Sequence, residues 1–390
     1  MAGSILIILC SLLLISYLFE LSTARTKIPS VVVLLAMGWA CAQLVNYFEL
    51  SVPNLSYVLQ VIGTVGLILI VLEGSLELEF NKSKTRLVLK SIAGSFVPLL
   101  LLSFSLAYLF DALISCGLKL ALLNAIPLAV ISSAIAIPSA RNLSPANREF
   151  ITYESSLSDI FGVLLFNFVN MNDSVTSHSL LNFSAELGLM FFISLITTLV
   201  LSLLLNNISH HVKFFPIILL IVLIYAIAKQ FHLPALVFIL LFGLFLANSE
   251  KLKNITWLSR FKPEKLDSEV NKLKELLGEA TFLVRSLFFL LFGFLIQTNE
   301  VLNLYTLPWA CGIVSGILVF RFLQLKLSGL KLSPILFIAP RGLITILLFL
   351  SIDETKRISL VNPSLIIQVI LLSAFVMMLG LMFSKQETSK

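Results

Sequence analysis

Two carboxylates sit inside one apolar stretch, Glu154-Ser155-Ser156-Leu157-Ser158-Asp159-Ile160-Phe161-Gly162-Val163-Leu164-Leu165-Phe166. Arg148 is the last basic residue before it and marks a membrane surface. At about 1.5 Å per helical residue, Glu154 lies roughly 9 Å beyond Arg148 and Asp159 roughly 16 Å beyond it. A hydrocarbon core about 30 Å thick then places Asp159 near its middle. A carboxylate at that depth is costly, and its default reading is functional. Ser155 and Ser158 add hydroxyl oxygens to the same stretch. Such a group of oxygens suits a dehydrated monovalent cation, and the carboxylate can take a proton in its place.

Composition says what kind of chain must hold that segment. Of 390 residues, 58% are hydrophobic and 12% charged, with a mean hydropathy of +1.02. A soluble domain could not keep such a chain in solution, so it spans a membrane many times. The net charge of +6 is not a nucleic-acid signal, because the basic residues fall in short loops between apolar spans. Cys10, Cys41, Cys116 and Cys311 have no ligand spacing and read as small apolar residues. His178, His210, His211 and His232 fall near loops, with no buried nucleophile or metal cluster beside them. The chain therefore reads as neither an enzyme nor a cofactor protein. Met1-Ala2-Gly3-Ser4 lacks a basic n-region, so the first span reads as retained rather than cleaved.

Thirteen apolar spans fall near 4–21, 28–48, 55–76, 88–110, 118–138, 149–170, 183–206, 212–229, 234–248, 276–298, 303–325, 332–352 and 363–384. They must be helices, since the period-2 alternation of a membrane barrel is absent. Alternating the loops assigns twenty of the 27 Lys and Arg to one side and four to the other, with Arg285, Arg321 and Arg341 inside spans. That bias predicts the N-terminus outside and the C-terminus in the cytoplasm. Arg285 and Arg321 read as snorkelling or interfacial residues. The stretch 249–275 mixes both signs and reads as a cytoplasmic linker or an amphipathic helix.

Two spans carry helix-breaking residues at membrane depth. One contains Pro127, Ser132, Ser133 and Pro138; the other contains Pro334, Pro340, Arg341 and Gly342. Freed backbone groups at that depth need protein or a water-filled cavity around them. The two spans are seven apart and run in opposite directions. Inverted repeats with two interrupted helices, broken at Pro127, Pro138, Pro340 and Gly342, would cross there around a substrate site. Arg341 stays charged at that depth and needs an anion, for which Glu154 is the natural candidate.

These residues resemble the monovalent cation:proton antiporter family, of the sodium/proton exchanger type. Glu154-Ser155-Ser156-Leu157-Ser158-Asp159 resembles the Glu-Ser-x-x-Asn-Asp signature of the sixth span. Leu72-Glu73-Gly74-Ser75-Leu76-Glu77-Leu78, Ile131-Ser132-Ser133-Ala134-Ile135-Ala136, Phe288-Phe289-Leu290-Leu291-Phe292-Gly293 and Pro340-Arg341-Gly342-Leu343 are similar to motifs of the third, fifth, tenth and twelfth spans.

The resemblance implies that Asp159 is the ion-binding and proton-carrying carboxylate, helped by Ser158, Ser155, Ser132 and Ser133. It also implies a structural ion pair between Glu154 and Arg341. Ser158 stands where electrogenic members often have a second Asp, which favours electroneutral exchange of one cation for one proton. Ser133-Ala134-Ile135 stands where sodium-type members have Thr-Asp-Pro, closer to the potassium-efflux branch.

The expected fold is an all-α polytopic bundle forming one transporter domain over 1–390. Its core would lie near 88–170 and 303–384, with a scaffold and dimer region near 4–76 and 212–248. The expected protein is a homodimeric Na+/H+ antiporter of the plasma (inner) membrane, in contact with membrane lipids and without a nucleic-acid partner. The alternatives are a K+/H+ antiporter and a channel or sensor on the same fold.

Overall fold

A computed structural model describes residues 7, 10–20, 29–49, 55–78, 85–172, 177–207, 214–231, 233, 235–248 and 263–384. Among them every regular element is helical. The helices are α1 Cys10–Glu20, α2 Ser30–Tyr47, α3 Ser56–Leu76, α4 Thr85–Ile114, α5 Leu118–Ala129, α6 Ser133–Ser139, α7 Pro145–Met171 and α8 Ser177–Asn207. They continue with α9 Phe214–Gln230, α10 Ala235–Ala247, α11 Pro263–Leu295, α12 Thr298–Val301, α13 Leu307–Leu327, α14 Leu343–Ser351 and α15 Pro363–Phe383.

Eight helical stretches among the described residues are long and apolar enough to cross a membrane, with α5 and α6 counted as one. Shorter apolar helices are α1, α9 and α10. Although α7 is 27 residues long, the buried carboxylates and serines on it make it less apolar than those eight. The chain is thus a multi-pass membrane protein.

Local chemistry sets the starts of the helices around the site. At the start of α7, Pro145 follows Ser144; at the start of α15, Pro363 follows Asn362. Proline is well placed there, because the first helical N–H has no intrahelical partner to lose. Asn362 Oδ1 accepts the Leu365 N–H at 3.0 Å, which satisfies one of the remaining free donors.

The helices pack in two groups. In one, α4 lies against α5, α7 and α13, and α13 lies against α15. In the other, α11 lies against α2 and α3, and α10 lies against α3 and α8. Helix α3 also meets α7 and α14, so it bridges the two groups.

Within the expected linker at 249–275, residues 263–275 form the first turns of α11. Val270, Leu273 and Leu277 recur at helical spacing and are buried, so these turns already have an apolar face to pack. Residues 249–262 lie outside the described residues, as do His210, His211 and His232.

Candidate ion-binding site

The site is built where two broken segments meet. Helix α5 ends at Ala129, and the chain runs extended through Val130 (φ −74°, ψ 132°) and Ser132 (φ −82°, ψ 112°) before α6 begins. The second break runs from a 3-10 turn at Ile335–Phe337 to the start of α14 at Leu343. Pro340 and Gly342 lie within this second break. Pro127 and Pro138 do not lie within the first: they sit inside α5 and α6, on either side of it. Each removes one helical donor without stopping the helix. The interruption falls instead where the freed amides find other acceptors.

Those acceptors can be named. The Ile131 N–H donates to Ser158 Oγ at 3.0 Å, the Ser132 N–H to Pro340 O at 2.9 Å and the Ser133 N–H to Asp159 Oδ2 at 3.3 Å. Two of the three come from α7 and one from the opposite break. The crossing is close: a Cβ on Gly342 would stand 2.8 Å from Ser132 Oγ and 2.6 Å from Ile135 Cδ1. Only glycine fits without displacing one of them.

Asp159 faces the N-terminal end of α6, where a carboxylate is favoured by the peptide dipoles. The Ser133 hydroxyl also donates to Asp159 Oδ2. Asp159 Oδ1 and Ser132 Oγ are both buried with no hydrogen-bond partner in the structure. Two unpartnered oxygens, one of them on a carboxylate that is 1% exposed, are what a dehydrated cation or a proton would satisfy. Ser158 supports the break through Ile131 rather than turning to Asp159. The Ser155 hydroxyl donates to Ile151 O at 2.7 Å, within its own helix.

The expected Glu154–Arg341 pair does not form. Glu154 instead takes Arg321 of α13 as its ion-pair partner and also accepts from Gln324. Arg321 is 2% exposed, not interfacial, and its guanidinium also reaches Ile335 O and Ile338 O beside the second break. Arg341 uses a different kind of partner. Its Nε donates to Leu128 O at 2.7 Å and its Nη1 to Ala339 O at 2.8 Å. Leu128 lies in the last turn of α5, whose carbonyls lack helical donors, so a cation caps that turn well. Carbonyls freed by the breaks take the role expected of Glu154.

Arg285 also departs from expectation. It is buried on α11, and its Nη2 lies 2.9 Å from both carboxylate oxygens of Glu20. Glu20 also pairs with Arg141 at 3.4 Å, linking the turn after α6 to α1. Sequence reading missed Arg321, Gln324 and Glu20. A signal for the first two was present: Arg321 and Gln324 are three residues apart, so they share one face of an otherwise apolar helix.

A cavity of about 430 Å3 lies between α3, α7, α9, α10 and α14. Thr64, Val163, Asn167, Tyr225, Leu236 and Ser351 are among its walls. Val163 is one helical turn beyond Asp159. The cavity therefore comes within about one helical turn of the carboxylate along α7.

Crossed broken helices, with a buried carboxylate at the crossing and a cavity leading towards it, define an ion-coupled membrane transporter. A family model described as "Sodium/hydrogen exchanger, transmembrane" matches residues 9–385, and the chain belongs to that family. The family is one of cation:proton exchangers rather than of enzymes. The solved structure of the sodium proton antiporter MjNhaP1 from Methanocaldococcus jannaschii at pH 8 is similar in fold. It has 18% identity and a TM-score of 0.67, with 95% of this chain and 96% of that one covered. An electron-microscopy structure of the same antiporter gives 17% identity and a TM-score of 0.69, with 98% and 95% covered. No curated protein sequence matches the chain.

Proposed function

We propose that the protein exchanges Na+ for H+ at Asp159 by alternating access, one cation for one proton. The observation that carries this reading is the pair of unpartnered buried oxygens, Asp159 Oδ1 and Ser132 Oγ, at the crossing of the breaks. Deprotonated Asp159 would bind the dehydrated cation with Ser132 and backbone carbonyls of the breaks. A proton on the same carboxylate would release it. Either way the charge is neutralised, and a neutral site can move through a low-dielectric bundle where a bare carboxylate cannot. Ser133 holds Asp159 in place. Ser158 acts one step back, by fixing Ile131.

In this reading the chain crosses the plasma (inner) membrane thirteen times, with its N-terminus outside and its C-terminus in the cytoplasm. The group containing α4 to α7 and α13 to α15 moves, and the group containing α1 to α3 and α8 to α11 forms the scaffold and the homodimer contact. This scaffold adds α8 and α11 to the expected 4–76 and 212–248. The cavity beside Val163 then faces outside, while Arg141 and Glu20 hold the two groups together on the cytoplasmic side. The conformation is outward-facing.

The serine pair at the first break favours one second reading, K+/H+ exchange. Ala134 stands where the resemblance puts the second carboxylate of sodium-type members, and Ser133 beside it donates to Asp159. Both readings rest on competition at one group and share one test. The apparent KM for the driving cation, measured in proteoliposomes, rises about tenfold for each unit of pH below the site's titration. A slope of two decades per pH unit would require a second titrating group and would rule out one-for-one exchange. Sodium, potassium and lithium run in parallel decide between the two readings.

A further inference from the structure

Arg341 carries a buried charge, and among the described residues its bonds go to carbonyls and not to a carboxylate. Two guanidinium groups, Arg321 and Arg341, are each 2% exposed in the core. Glu154 is bonded to Arg321 and Gln324 rather than to Arg341. When Asp159 carries either its cation or its proton, this part of the bundle keeps one uncompensated positive charge. A buried unpaired charge is strongly unfavourable, and carbonyl dipoles relieve it only in part.

Between the two guanidinium groups lies a cavity of about 20 Å3. Its walls include Ser95, Ser158, Arg321, Gln324 and Arg341, with Pro98 and Phe320 among the apolar remainder, and no carboxylate lines it. A guest the size of one water needs roughly 10–15 Å3, so the cavity has room for a single small particle. Donors are available to it. Arg341 uses Nε and Nη1 for the carbonyls, which leaves its Nη2 hydrogens. Ser158 Oγ accepts from Ile131, which leaves its own hydroxyl hydrogen to donate.

We infer that this cavity between Arg321 and Arg341 binds a small monovalent anion of the halide class. The anion neutralises the second guanidinium and fixes Ser158, and through it the first break. It adjoins Ser158 and Ile131, the neighbours of Asp159 and Ser132, and serves as a component of the core and not as a transported ion.

The test is thermal unfolding of the purified full chain in detergent, at fixed sodium concentration and ionic strength. Chloride and bromide are compared with gluconate. A saturable rise in Tm, on the order of 2–4 °C, is expected with either halide and not with gluconate. Ser95→Val adds bulk at the cavity wall and alters none of the charges, so the halide-minus-gluconate difference measured within that variant falls to zero. Crystals grown in bromide should show an anomalous peak between the two guanidinium groups. Identical Tm in all three salts, a response that survives Ser95→Val, or water alone at that position would overturn the inference. The readout is binding, so it does not depend on the exchange reading.

Discussion

Glu154 on α7 is ion-paired to Arg321 on α13, while Arg341, the arginine beside the second break, is bonded to backbone carbonyls. The two arginines therefore do different work. Arg321 ties α13 to α7, and Arg341 ties the end of α5 to the second break. A double-mutant cycle separates them. Glu154→Gln leaves Arg321 buried without its counter-charge and should destabilise the fold by about 3–5 kcal/mol. Adding Arg321→Gln should recover much of that loss. Adding Arg341→Gln should not, because freeing the carbonyls of Leu128 and Ala339 costs a further ~1–3 kcal/mol each. Unfolding midpoints in detergent read the coupling. A larger coupling for Glu154 with Arg341 would show that the pairing is wrong.

Ser132 and Ser133 are adjacent but should respond differently to truncation. Ser132 Oγ has no partner in the structure, so Ser132→Ala should cost little stability. It should raise the cation KM about five- to tenfold, the loss of one oxygen ligand worth about 1 kcal/mol. The Ser133 hydroxyl orients Asp159, so Ser133→Ala should change both KM and the maximal rate of exchange. Flux assays over a range of cation concentrations distinguish the two. Equal effects in both variants would remove Ser132 from the site.

Gly342 sets the distance between the breaks. A Cβ there would press on Ser132 Oγ and Ile135 Cδ1, so Gly342→Ala must displace a side chain at the crossing, Ser132 of the ion site among them. Displacement of about 1 Å at a reacting centre can cost on the order of 100-fold in rate. The expected result is a folded protein whose exchange falls by at least tenfold. Gly94 makes a similar close approach elsewhere. Its Cβ would meet Gln324 Nε2 at 2.6 Å and Glu154 Oε1 at 3.1 Å, so Gly94→Ala should lower stability more than it lowers KM. The reverse ordering of these two variants would contradict the assignment of the crossing and the ion-pair cluster.

Ser158→Asp puts a second carboxylate next to Asp159. The site would then hold an extra negative charge, and exchange should become sensitive to membrane potential. Imposed potentials of either sign in proteoliposomes measure this directly. A variant that exchanges well and ignores the potential would contradict electroneutral exchange through a single carboxylate.

What could be read from the sequence depended on how local the signal was. The depth of Asp159 follows from the distance along one helix, and both helix breaks stand out because proline and glycine at membrane depth demand an explanation. Partner choice was not legible in the same way. Arg341 needs compensation, and Glu154 is the natural carboxylate for it on the sequence alone. The actual partner of Glu154 comes from α13, 167 residues away, and the actual partners of Arg341 are main-chain atoms that no side-chain inventory contains. The burial of Arg285 was hidden for a related reason, since its counter-ion Glu20 lies at the end of the first helix. The start of α11 leaves two readings open, because a charged amphipathic helix and a solvated linker have the same composition.

The measurement closest to the central claim is proton movement in proteoliposomes on addition of sodium, potassium or lithium, with wild type and Asp159→Asn side by side. One cation should drive proton flux in the wild type, and Asp159→Asn should abolish it while leaving a folded protein. Cation-driven flux that persists in Asp159→Asn, or a wild type that moves no protons with any of the three cations at any pH, would contradict exchange at Asp159.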